Sequence, residues 1–154
     1  MGGQAQQAPF ERGLIQRWAP VAAWVALIWF FSTERFTGER TSSALLPVLA
    51  ALFPSATPHD LVVLHRTLRK LGHFTEYLVL SVLLYRALRT ERAWSPRAAG
   101  AALVLAALHA IVDELHQSFV PGRVGAAADC LIDVYGAAAG QGLVIARFAT
   151  RRPG

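Results

Sequence analysis

Apolar runs of membrane-crossing length recur along this chain, and few charges interrupt their interiors. A helix needs about 20 mostly apolar residues to cross the hydrocarbon core of a bilayer. Four stretches meet or approach that length, at about 14–32, 71–88, 97–119 and 126–148. The expected fold is therefore all-α: an integral membrane four-helix bundle forming one domain over residues 1–154. Hydrophobic residues make up 54% of the chain and charged residues 16%. A water-soluble domain carries about a quarter charged residues. The mean hydropathy is +0.37, which also argues against a soluble helical protein.

The net charge of +5 would suit a nucleic-acid surface. The arginines instead form short clusters that flank apolar runs, as membrane topology requires, so no nucleic-acid partner is expected. Nine of the 15 Lys and Arg fall in the N-terminal segment, the 86–97 loop and the C-terminal segment, with two acids. The other six share the opposite side with eight acids. This asymmetry predicts a multi-pass protein of the cytoplasmic membrane with both termini in the cytoplasm. The single cysteine, Cys130, allows no intrachain disulfide and no cysteine metal motif. The first apolar run lacks a small-residue cleavage pattern and reads as an anchor.

Between the spans, residues 1–13 are polar and read as loose. Segment 33–58 is the longest connection. Within it, 42–53 is too short to cross and contains Pro47, so a short amphipathic or re-entrant helix is expected between spans one and two. The next helix starts near Asp60, a cap region, and passes through Arg66, Arg69 and Lys70 into span two. Span three follows Ser95-Pro96, a cap residue and then proline at the first helical position. Span four carries Gly136, Gly140 and Gly142, small residues that permit close helix contact. His59 and His65 read as loop and surface histidines.

Polar residues collect at one end of these spans. His73, Glu76 and Tyr77 open span two, spaced to share a helix face. His109, Asp113, His116 and Gln117 form a stripe toward the end of span three. Glu114 is turned about 100° away from Asp113. Arg123 sits in the following turn, and Asp129 and Asp133 begin span four, four apart. An antiparallel arrangement brings all of these ends to the outer side. Buried polar residues between spans often serve as adhesive. Ionisable groups at membrane depth are expensive, however, and this many exceeds what adhesion needs.

Three chemistries compete for the cluster. A divalent metal could be held by Asp113, Asp129, Asp133 and His116, although no His-Glu-x-x-His motif is present. A metal-free acid–base site could pair His109 or His116 with Asp113, beside Glu114. An anion site could use Arg123, Arg69 and Lys70 on a lipid phosphate or pyrophosphate, with His73, Glu76, Tyr77 and Gln117 completing the substrate pocket.

The motifs also carry a resemblance. Arg69-Lys-Leu-Gly-His-Phe-Thr-Glu-Tyr77, followed by Leu80-Ser-Val-Leu-Leu84, resembles the first signature of the VanZ-like family of small membrane proteins. Asp113-Glu-Leu-His-Gln-Ser-Phe-Val-Pro-Gly-Arg123 resembles the second, and Asp129-Cys-Leu-Ile-Asp133-x-x-Gly136 the third, where many members have Asn in place of Asp133. Trp29-Phe-Phe-Ser32 is similar to the end of the family's first span. The likeness covers about 20–146 and is loose over 36–60. It implies four membrane helices and an envelope setting, since the family's namesake is associated with resistance to the glycopeptide antibiotic teicoplanin. That association points to a lipid-linked cell-wall precursor or glycolipid as partner, alongside the bilayer itself. The expected function is recognition of such an amphiphile in an outer polar pocket covered by the 42–53 helix, with metal-assisted phosphoryl or hydrolytic chemistry as one version. The alternative is a non-enzymatic scaffold whose polar network is purely structural.

Overall fold

A computed structural model describes residues 7–90, 93–119 and 127–150, with backbone alone for 7–12 and 127–128. The described residues are helical throughout, with no strand: α1 (Gln7–Phe31), a 3-10 turn (Glu34–Phe36), α2 (Gly38–Leu52), α3 (Pro58–Leu88), α4 (Pro96–Ser118) and α5 (Ala127–Ala149). Three helices contain stretches long and apolar enough to cross a membrane: Gly13–Phe31, Pro96–Ser118 and Asp129–Ala149. The second expected span, 71–88, lies in α3. That helix falls outside the set, and its first 19 residues include Arg66, Arg69, Lys70, His73 and Glu76.

Helix α3 is one unbroken rod of 31 residues, about 46 Å long. No proline interrupts it after Pro58, so the surface segment and the second apolar run continue into each other. It starts near Asp60, as expected, with Asp60 at the third helical position of a capping box. Thr57, not Asp60, is the cap; its hydroxyl accepts from Asp60 N–H while the Asp60 carboxylate accepts from Thr57 N–H at 3.0 Å, a reciprocal box. The Thr57 hydroxyl also donates to that carboxylate at 2.7 Å. Hydrogen bonds from the Thr57 side chain and then its backbone hold Asp60 below the usual carboxylate range.

The N-terminal region is helical from Gln7 rather than loose throughout, which places Pro20 inside α1. Helix α4 begins as expected, with Ser95 capping Ala98 N–H and Pro96 in the first turn. Helix α2 starts earlier than expected, capped by Thr37, and is 15 residues long. It lies against α3, with Leu49 buried.

The rod α3 packs most extensively on α5 and also meets α4, α1 and α2. Glycine makes the α3–α5 approach possible. A Cβ on Gly136 would collide with the Phe74 carbonyl oxygen, and one on Gly140 would lie 2.5 Å from the Leu78 oxygen. Gly142, expected in the same role, faces open space. Helix α4 presents Ala102, Ala106 and Ala110 to the interior, all fully buried, and the same face continues through Asp113 and Gln117. The remainder of α4 exposes Val104, Leu105, Leu108, Ile111, Val112 and Leu115. Small residues inside and large apolar residues outside are the packing of a helix that faces lipid.

Candidate functional site

The polar residues separate into a closed network inside the bundle and an open set at its edge. The closed network joins α1, α3 and α4. Asp113 is buried at 1% exposure. One carboxylate oxygen accepts from the Ser32 hydroxyl at 2.6 Å and the other from the Gln117 amide at 2.7 Å. The Gln117 amide also reaches Ser32 at 3.3 Å, closing the triangle.

His109 is committed on both ring nitrogens. Trp29 Nε1, which can only donate, gives a bond to His109 Nε2 at 3.2 Å. In the neutral imidazole Nδ1 then carries the proton, and it donates to the Tyr77 hydroxyl at 3.0 Å. A histidine held in this way braces three helices and has no nitrogen left to act as a base. The Trp29 ring also stacks on His116, with centroids 4.9 Å apart. Trp29 and Ser32 were not assigned a role from sequence; only their place at the end of the first apolar run marked them.

The open set lies where α3, α5 and α2 meet. His73 Nδ1 stands 3.4 Å from Asp133 Oδ1, an ion-pair distance longer than a good hydrogen bond. Asp133 is 2% exposed and lies behind the histidine; the His73 side chain is 16% exposed and lines a cavity of 340 Å³. Arg66, Thr67, Arg69, Lys70 and Asp129 share that lining. A second cavity, of 440 Å³, is bounded by Glu39, Ser42 and Leu46 of α2, by His65, Arg66 and Arg69 of α3, and by Gln117 and Asp129. Arg66, Arg69 and Asp129 thus border both spaces. Arg66 is the member that sequence reasoning passed over, although it stands one turn before Lys70 on the same helix face.

Arg69 also holds α2 in place. Its guanidinium donates to the Phe36 carbonyl at 3.2 Å and to the Thr41 hydroxyl at 3.3 Å. Thr41 uses its own proton on the Thr37 carbonyl, so it accepts from His65 Nε2 at 3.3 Å. His65 is therefore not a surface residue: α2 covers it, and it is buried at 5% exposure. Burial first, then Arg69 and Arg66, push its pKa below the ordinary imidazole range.

The residues expected as metal ligands are divided between these two sets. Asp113 is satisfied by Ser32 and Gln117, Asp133 faces His73, Asp129 borders the cavities, and His116 stacks on Trp29. Among the described residues no three His, Cys, Asp or Glu side chains gather to hold a metal ion. Glu76 is half-buried, and its backbone carbonyl accepts from Trp24 Nε1 at 2.9 Å. Glu114 is likewise half-buried on α4. Arg123 lies outside the described residues.

A family model described as VanZ/LLP1 matches residues 17–149, nearly the whole chain. No curated protein and no solved structure matches it.

Proposed function

The chain belongs to the VanZ/LLP1 family of membrane proteins, and from that premise we propose that it binds the anionic headgroup of an amphiphilic envelope component at the outer membrane–water interface. The observation that carries this reading is the pair of cavities bordered in common by Arg66, Arg69 and Asp129, with Lys70 and His73 on one of them. Cations at the mouth of an apolar bundle suit a lipid-linked phosphate, whose charge stays in the cavity while its chain remains in lipid. In this reading residues 71–88 of α3 are the fourth span of a four-helix bundle, since α3 packs against α5, α4 and α1. The arginine asymmetry supports an orientation with both termini in the cytoplasm and the cavities outside. Helix α2 lies on the surface and walls the larger cavity.

The closed network favours a structural role for its own members. Ser32, Asp113 and Gln117 satisfy one another, and Trp29, His109 and Tyr77 do the same. These residues join α1, α3 and α4 and hold α3 in place for the cavity residues it carries.

The test is retention of a short polyprenyl monophosphate, compared with the corresponding alcohol, by purified protein in lipid nanodiscs. The phosphate should be retained over the alcohol. Replacing both Arg66 and Lys70 with Gln should weaken retention about tenfold or more, since bonds to charged groups contribute about 1.5–3 kcal/mol each. Equal retention of phosphate and alcohol contradicts the proposal.

A further inference from the structure

We propose that His73, oriented by Asp133, is a general base that hydrolyses a phosphoanhydride in the headgroup held by this cavity. The inference rests on the headgroup-binding reading and adds a reaction to it. Its first support is the order of burial. Asp133 lies deepest, His73 stands in front of it, and the cavity lies beyond. Nδ1 of His73 is buried and faces the carboxylate, while the ring itself lines the cavity, which leaves Nε2 for a bound molecule. A carboxylate behind one imidazole nitrogen fixes the tautomer and orientation of the other, as in hydrolytic triads. The 3.4 Å separation is of the kind that tightens when substrate fills a site.

A second support comes from the other histidines. His109 has both nitrogens engaged, His65 is bonded to Thr41, and His116 stacks on Trp29 and borders neither cavity. Of these four histidines, His73 alone stands both on a carboxylate and on the basic cavity. The third support is the helix face. Arg66, Lys70 and His73 follow at intervals of four and three, so two cations and the base face one volume. Asp129 offsets one charge of three, and the space keeps a positive balance for an anion.

The reaction balances without a further reactant besides water. Nε2 removes a proton from water as the water oxygen bonds to the terminal phosphorus. The bond from that phosphorus to the bridging oxygen breaks. The bridging oxygen leaves with the electron pair as part of a lipid monophosphate, which needs no proton to depart. Arg66 and Lys70 stabilise the charge gathering on the phosphoryl oxygens. His73 then gives its proton to solvent, and inorganic phosphate departs.

Full-length protein in nanodiscs should release inorganic phosphate from farnesyl diphosphate. His73→Gln should lower kcat at least about 100-fold, within the usual range for a general base, with KM changed little. Asp133 is a positioning residue. Asp133→Asn keeps an acceptor behind the ring and should lower kcat less than Asp133→Leu does, again at unchanged KM. Arg66→Gln should raise KM. Binding of the same probe to His73→Gln checks that the variant is folded. Wild-type protein that binds the probe and releases no phosphate overturns the hydrolytic proposal and leaves the binding reading intact. Undiminished release by folded His73→Gln also overturns it. Failure of the wild type to bind the probe removes both.

Discussion

Asp113 shows how a single buried carboxylate can hold a membrane bundle together. Its oxygens take one bond from Ser32, just past the end of α1, and one from Gln117 on its own helix, so its removal strands two donors in the interior. Asp113→Ala should destabilise the protein by about 1–3 kcal/mol per stranded group, measured by thermal unfolding in detergent. Ser32→Ala removes one donor and leaves the carboxylate bonded to Gln117, so its loss should be smaller, about 1 kcal/mol. Asp113 was recognisable from sequence because a carboxylate on an otherwise apolar helix stands out. Ser32 was not, since its importance depends on a partner 81 positions away. His109 was also recognisable, but in the wrong role. Spacing showed that it shares a stripe with Asp113, and it could not show that Trp29 and Tyr77 would take both nitrogens. His65 was misjudged for a related reason: the helix that buries it is tied down by long-range bonds from Arg69 and His65 itself.

Two contacts between elements make contrasting predictions. The α3–α5 contact depends on missing side chains. Gly136→Ala must push Phe74 and its backbone away, and should destabilise by about 1–3 kcal/mol, as overpacking generally does. Gly142→Ala meets nothing within 4 Å and should be neutral or slightly stabilising, since alanine is the better helix former. The same thermal unfolding measurement separates them. The α2–α3 contact depends on an uncharged His65. Its folded pKa lies below the ordinary value, so the group's contribution is fully present above about pH 6.5 and is lost as pH falls through the lower folded value. Protonation would add a buried cation beside Arg66 and Arg69, under Thr41 of α2 and across the cavity from Glu39. Hydrogen exchange of α2 amides, corrected for intrinsic rates, should accelerate in the wild type as pH falls below about 6.5. The acid-dependent increase should disappear in His65→Gln. Helix starts at Ser95-Pro96 were readable because capping is local chemistry. The run of α3 through Arg66, Arg69 and Lys70 into the second apolar stretch was readable as well, since no proline or glycine pair breaks the helix after Pro58.

At the scale of the whole molecule, apolar length supported the all-helical membrane architecture, and the family match agrees with it. Pattern alone could not divide the polar ends into an inner brace and an open cavity, because one helix serves both: α3 gives Tyr77 to the brace and His73 to the cavity. That division now organises the functional account: Asp113 and His109 fix the frame, while Arg66, Lys70 and His73 face the space it creates. The account depends on α3 crossing the membrane, with the cavity end outside and the Trp94 end inside. Cysteines placed singly at Thr67 and Trp94, in a Cys130→Ala background, report this directly when intact cells are treated with a membrane-impermeant maleimide. Thr67→Cys should label from outside and Trp94→Cys only after permeabilisation. Labelling of both positions from the same side, or of Trp94→Cys alone in intact cells, would contradict the account.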